Sequence, residues 1–303
     1  MMSKTNSSPR SFFRHSALFV LSFPLINWTI SSQERLAGEQ REKDLSDQEI
    51  CQGKFQLAVS RSLNQEEIGN VMVEVGRSFI GTPYAAKTLE IPGKEHLVIN
   101  LRELDCVTFV ENTLALSRCI KMKQYSFEEY KHQLKLIRYR GGIVNEYPSR
   151  LHYFSDWIDD NAKKNIVRDV TKELGGVPYQ KTINFMSAHE PSYRQLSEPA
   201  FTGMIKETEA SLTSREQYYI PKERLTNLQA GIHSGDVIAI TTSIEGLDVS
   251  HTGLAILIDG VLKYLHAPLS TGSVRISEDS LVEYLMSHKN QTGIIVARPL
   301  EPY

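Results

Sequence analysis

Apolar residues at Ile68, Val71, Met72, Val75 and Phe79 recur every three or four positions, with Gly81 and Pro83 behind them. The spacing predicts an amphipathic helix over 64–80, with Asn64 as its cap. A second stretch has the same period. Cys106, Phe109, Val110, Thr113 and Leu114 fall on one helical face, and Asp105 before them is a good N-cap. Between the two, residues 96–101 read as a strand leading into the cysteine helix. Helices are also predicted over 126–137 and 150–158, briefly within 161–176, and over most of 190–212. After Gly231 the period changes to short β-branched runs at 236–241, 249–258, 261–266, 274–276 and 293–297. Asp259-Gly260 is a two-residue hairpin signal, and a short helix over 280–287 precedes the last strand. Helices first and an antiparallel meander after them indicate an α+β fold, with 121–212 as a helical insertion.

The N-terminus does not fit this pattern. Lys4, Arg10 and Arg14 precede an apolar run from Ala17 to Ile30, broken by Ser22, Pro24 and Asn27 and followed by Ser31-Ser32-Gln33. That order reads as a signal peptide over 1–32, so the chain is expected to be exported, to the periplasm or outside the cell. An uncleaved anchor is the competing reading, but the run is short for a membrane span. Polar residues then suggest a solvated leader over 33–62, in which 45–57 can form a loose helix. The domain proper is placed at 63–303. A formal charge of -2 over 303 residues gives no electrostatic grip on nucleic acid or anionic lipid. Three cysteines are an odd number, so at least one free thiol is expected, and a Cys51–Cys119 pairing is left open.

Cys106 in the first turn of its helix meets unpaired backbone N–H groups and the positive end of the helix dipole, which favour a thiolate. The competing reading is a small buried hydrophobe. Two histidines shift the balance. If Asp259-Gly260 closes the hairpin, opposed residue numbers sum to about 519, which pairs His251 near Pro268, two residues from His266. A nucleophilic cysteine needs a thiol, an imidazole that moves its proton and a polar group that orients the imidazole. Gly253 is expected to let the cysteine helix approach the strand. Zinc held by Cys106, His251 and His266 is an alternative, although no close-spaced ligand pair supports it.

The ordered pieces Gly81-Thr82-Pro83-Tyr84, Asp105-Cys106, Ser250-His251-Thr252-Gly253-Leu254-Ala255 and Leu265-His266-Ala267 resemble the motifs of NlpC-type cell-wall hydrolases. These are papain-like enzymes that cut amide bonds in peptidoglycan peptides. The form Asp-Cys-Val-Thr-Phe-Val-Glu, the segment Arg150 to Trp157 and the insertion are similar to a branch likened to N-acetylmuramoyl-L-alanine amidases. The resemblance implies a papain-like core with Cys106 as nucleophile, His251 as base, His266 as orienter and Tyr84 near the oxyanion. It implies peptidoglycan fragments (muropeptides) as partners and no metal or organic cofactor. Neither nucleic acid nor stable membrane insertion after signal cleavage is expected. Ala85-Ala86-Lys87 stands where the family commonly has Gly-Gly, and the tyrosine-to-cysteine spacing is long. His152 and Tyr153 are expected to line a sugar-binding pocket with Tyr84. A D-Glu–diamino acid endopeptidase and a non-catalytic muropeptide-binding protein are the alternative functions.

Overall fold

The structure, a computed structural model, describes residues 45–303. The signal-peptide assignment lies outside the described residues. No helix among them is long and apolar enough to cross a membrane.

Five helices pack on one face of the sheet: α1 (Asp47–Ser60), α2 (Ile68–Arg77), α3 (Cys106–Lys121), α4 (Phe127–Arg138) and α5 (Phe154–Lys163). The first corrects the sequence reading. Residues from 46 onward are no solvated leader: Ser46 forms a capping box with Glu49, and Ile50, Cys51, Phe55 and Ala58 are buried in the main core. The predicted helix at 64–80 begins only at Ile68, and Asn64 sits in a preceding 3-10 turn.

Residues 96–101 form no strand. Their carbonyls are taken by side chains instead: Arg138 Nη1 donates to Val98 O at 2.6 Å and Asn112 Nδ2 to Asn100 O at 3.1 Å. The predicted short helix within 161–176 is partly replaced by strand β1 (Val167–Asp169). Strands β2 (Val177–Pro178) and β3 (Tyr218–Pro221) are additions that the sequence pattern did not signal.

The sheet continues with β4 (Val237–Thr242), β5 (Val249–Ile258), β6 (Val261–His266), β7 (Arg275–Ile276) and β8 (Gln291–Pro299). The order is β2-β3-β8-β4-β5-β6-β7, with β1 also on β8, and these strands pair antiparallel throughout. The chain therefore builds a meander from β4 to β7, and the last strand returns to the centre between β3 and β4.

One sheet face, with Ala239, Leu254, Ile256 and Leu265, closes the main core against α1 to α5. The other, with Ile238, Ala255, Tyr264 and Val296, packs on α8 (Lys222–Leu228) and α9 (Leu281–Ser287). The segment 121–212 is not one inserted body. Tyr130, Leu134, Ile137 and Trp157 from α4 and α5 belong to the main core. Only the part with Tyr147, Tyr153, α6 (Phe185–Ala188) and α7 (Pro199–Ser214) forms a separate apolar cluster.

Candidate active site

Asp105 caps α3 reciprocally: its carboxylate accepts from Thr108 N at 2.8 Å, and Thr108 Oγ1 accepts from Asp105 N at 2.9 Å. This leaves the N–H groups of Cys106 and Val107 at the free end of the helix, and both favour a charged sulfur. A third N–H comes from Thr252, the residue after His251. The contact brings the start of β5 to Cys106.

Pro83 to Ala85 run beside Leu104. Leu104 N donates to Pro83 O at 2.9 Å and Ala85 N to Leu104 O at 3.3 Å. That short pairing ends one residue before the Asp105 cap and sets Tyr84 by the sulfur. Burial, and then the charges of Cys106 and Asp105, push the Tyr84 hydroxyl up to about 12.

The β5–β6 hairpin has the expected register. Asp259 and Gly260 both have positive φ, 50° and 79°, as a type I′ turn requires, and Gly253 opposes His266, which gives the sum of 519. Across it, His251 Nε2 and His266 Nδ1 are 2.7 Å apart. Residues 251, 253 and 255 share the face away from α3, where Tyr264 lies 5.7 Å from the His251 ring and 4.6 Å from the His266 ring.

The role expected of Gly253 is therefore corrected. A Cβ there would meet Leu265 O at 2.6 Å, His266 Cβ at 2.8 Å and Tyr264 Cε2 at 2.9 Å, and none of these three nearest atoms belongs to the cysteine helix. Glycine makes room for the Tyr264 ring and the His266 stem. Tyr264, Thr252 and the neighbouring Tyr284 were missed by sequence reasoning. The alternation of strand residues could have flagged the first two.

The protonation states also depart from expectation. Cys106 is only partly exposed, and burial pushes its thiol up to about 12 in spite of the three N–H groups; the Asp105 charge works in the same direction. Burial pulls His251 down to about 4 and His266 to about 2. The resting pair is a thiol and a neutral imidazole, because desolvation exceeds what the helix dipole supplies. Cys51 and Cys119 are free, buried in the main core and likewise raised by burial. Among the described residues, no group of three His, Cys, Asp or Glu side chains is disposed to hold a metal ion.

His152 and Tyr153 do not join this site. Tyr153 is 3% exposed in the separate apolar cluster, where its hydroxyl donates to Glu209 Oε1 at 2.6 Å and accepts from Met186 N at 2.8 Å. His152 lies tilted against the Tyr147 ring at 4.3 Å with Nε2 on the Tyr147 carbonyl at 2.9 Å, and burial pulls it down to about 3. Neither residue lines the groove beside His251. The aromatic spacing that suggested a sugar platform belongs to a local core.

Three histidines held neutral by desolvation make acid lability an expected outcome. Each is neutral when folded and takes up a proton near pH 6.5 when unfolded, so the unfolded chain binds more protons as pH falls below 6.5. Stability is full above that pH and drops by up to roughly 1.4 kcal/mol per pH unit for each histidine down to about pH 4. Glu95 and Asp248, raised by burial, act with the opposite sign toward the acid end of that range. Urea midpoints at pH 7.5, 6.0 and 5.0 check this; equal values at 7.5 and 5.0 would contradict it.

A half-buried cysteine at a helix N-terminus, reached by the N–H of the residue that follows His251 in the hydrogen-bonded histidine pair, belongs to an α+β protein of helices packed on an antiparallel sheet. The family comparison fits that class. The chain belongs to the AmiA-like, N-acetylmuramoyl-L-alanine amidase-like family, whose model matches residues 74–294. Among solved structures it is similar to an N-acetylmuramoyl-L-alanine amidase from Bacteroides uniformis, at 37% identity and a TM-score of 0.74, covering 77% of this chain and 99% of that one. It also resembles a Bacteroides fragilis protein provisionally named a xylanase, at 38% identity and a TM-score of 0.71, covering 74% and 99%. A Legionella pneumophila protein at 23% identity, with a TM-score of 0.64 and coverage of 87% and 96%, shares the fold. Comparison with curated proteins gives no match.

Proposed function

We propose that this chain is an exported, papain-like cysteine hydrolase of the NlpC type. In this reading it cuts the amide bond between N-acetylmuramic acid and L-alanine in peptidoglycan fragments. The observation that carries the proposal is the 2.7 Å His251–His266 hydrogen bond at the strand start whose Thr252 N–H reaches Cys106. If His251 Nε2 donates to His266 Nδ1, its Nδ1 is free to take the thiol proton. Cys106 Sγ then attacks the carbonyl carbon as the proton moves to His251, and negative charge develops on the carbonyl oxygen. The Cys106 and Val107 N–H groups, with Tyr84 near the sulfur, are the donors for that oxyanion.

Imidazolium His251 next protonates the leaving nitrogen, the C–N bond breaks, and a thioester and a free amine result. Water, losing a proton to His251, hydrolyses the thioester and restores the thiol. Because the resting pair is neutral, proton transfer and attack go together. The amidase names of the family and of the Bacteroides uniformis structure support the choice of bond. Glycosidase chemistry is less suited, since it uses a pair of carboxylates and no Asp or Glu lines the groove beside His251.

Incubation with a muramyl peptide and with the sugar-free peptide tests the bond. Release of free sugar with an intact peptide is expected; cleavage of the sugar-free peptide after D-Glu would favour the endopeptidase instead. His266→Ala is expected to leave a residual rate, lowered by about 10²- to 10⁴-fold in kcat, because the base survives without its orienting partner. Full activity in that variant would assign the orienting role to another residue.

A further inference from the structure

Val249 and His251 stand two residues apart on β5 yet face opposite sides of the sheet. Val249 packs against the main core, whereas His251 lies on the side of Ile240, Ala255 and Tyr264. The reason is one extra residue. His251 opposes Ile240 and Val249 opposes Thr241, so Ser250 has no partner on β4 and forms a β-bulge. In an unbroken strand, residues two apart share a face. Without the bulge, the side chain two places after Val249 would point into the main core. A bulge re-aims a side chain but interrupts the ladder where it sits, so its flanks must be held by other bonds.

Thr252 holds the downstream flank: its N–H reaches Cys106, and its Oγ1 donates to Ile238 O at 3.0 Å. The upstream flank is held by Asp248, which is 1% exposed. Its Oδ1 accepts from Val249 N at 2.7 Å, its Oδ2 from Ser155 N at 2.8 Å, and its carbonyl from the Tyr179 hydroxyl at 2.9 Å. Ser155 lies in the first turn of α5, where Tyr153 at the N-cap supplies no side-chain bond. The carboxylate thus caps a helix 93 residues earlier in the chain, at an end that favours an anion. Burying a carboxylate is costly, and a short polar residue at position 153 would cap α5 without that cost. Only position 248 joins the cap to the strand that carries His251.

We propose that Asp248 is a positioning residue: by tying the entry of β5 to α5 it holds the Ser250 bulge, and the bulge turns His251 toward His266. This rests on the function proposed above. Asp248 acts through His251 and not on the substrate.

Asp248→Asn tests the assignment. The amide keeps the shape and one acceptor, but both neighbours are N–H donors, so one of them faces Nδ2 and loses its bond. Turnover of a muramyl peptide is expected to fall by about 10- to 100-fold in kcat with KM little changed, because displacing a reacting group by about 1 Å costs up to that much. The second readout is the pair of ring-nitrogen chemical shifts of His251, which report the tautomer that the bond to His266 fixes. Those shifts are expected to move toward tautomer-averaged values in Asp248→Asn. Tyr179→Phe removes only the bond to the Asp248 carbonyl and is expected to lower kcat by about two- to tenfold. Cys51→Ala, which loosens the main core, should lower the thermal midpoint and leave both readouts in place. A folded Asp248→Asn protein with full kcat, or with unmoved His251 shifts, would overturn the proposal. If Asp248→Asn does not fold, Tyr179→Phe decides, and full kcat with unmoved shifts there overturns it. Absence of turnover by the unmodified protein defeats the proposed reaction alone, and the His251 shifts then decide the positioning role.

Discussion

Replacing Cys106 by alanine is expected to lower kcat on a muramyl peptide by about 10⁴-fold or more while the protein stays folded. The size follows from the chemistry. Without a sulfur there is no thioester, and the remaining N–H donors and binding contacts only polarise the amide for direct attack by water. The fold should hold because the cap of α3 is made by Asp105 and Thr108, neither of whose bonds uses the Cys106 side chain. The measurement is kcat together with a thermal midpoint. A folded Cys106→Ala protein within tenfold of the original rate would remove cysteine catalysis from consideration. Cys51→Ala is the control for the other thiols: it touches only the main core, so it should shift stability and leave kcat alone.

The largest stability effect is expected at Arg138, far from the groove. Arg138 Nε donates to Glu111 Oε2 at 2.7 Å, and both side chains are 2% exposed. The same guanidinium holds Val98 O, which ties α4, α3 and the extended 96–100 segment together. Arg138→Ala leaves Glu111 alone in the core. Loss of one partner of a buried pair costs about 3–5 kcal/mol, because the other is left desolvated without compensation. Burial already pushes the Glu111 carboxyl up with Arg138 present, so the variant should fold with Glu111 protonated and lose more stability as pH rises.

Replacing both residues by apolar ones, Arg138→Met with Glu111→Leu, is expected to recover much of the loss. Denaturant melts of the two singles and the double decide this. A loss below about 1 kcal/mol for Arg138→Ala would mean that the pair is not what holds these elements. Activity should fall with the single variant as well, since the segment that Val98 belongs to runs directly into Leu104 and the Asp105 cap.

Much of the local structure was legible in the residues. Ser126 and Ser280 start helices because each side chain accepts from the N–H three residues on. Asp259-Gly260 settled the hairpin register, because a two-residue turn leaves no freedom for the strands it joins, and from the register came the neighbourhood of His251 and His266. The placement of Cys106 in the first turn of a capped helix was likewise a local matter. Signals of this kind act over two to four residues, so they survive without knowledge of the rest of the chain.

What the sequence could not decide depends on partners distant along it. Residues 96–101 have a strand's composition, but Arg138 and Asn112 take their carbonyls and no strand pairs with them. Residues 47–60 look polar, and only the packing of α1 on α3 and α4 shows which four side chains belong to the core. Tyr153 has the look of a binding aromatic; its hydroxyl went to Glu209, 56 residues later. The charge state of Cys106 was read from the helix dipole, and burial reversed it, because desolvation is set by everything packed around the thiol.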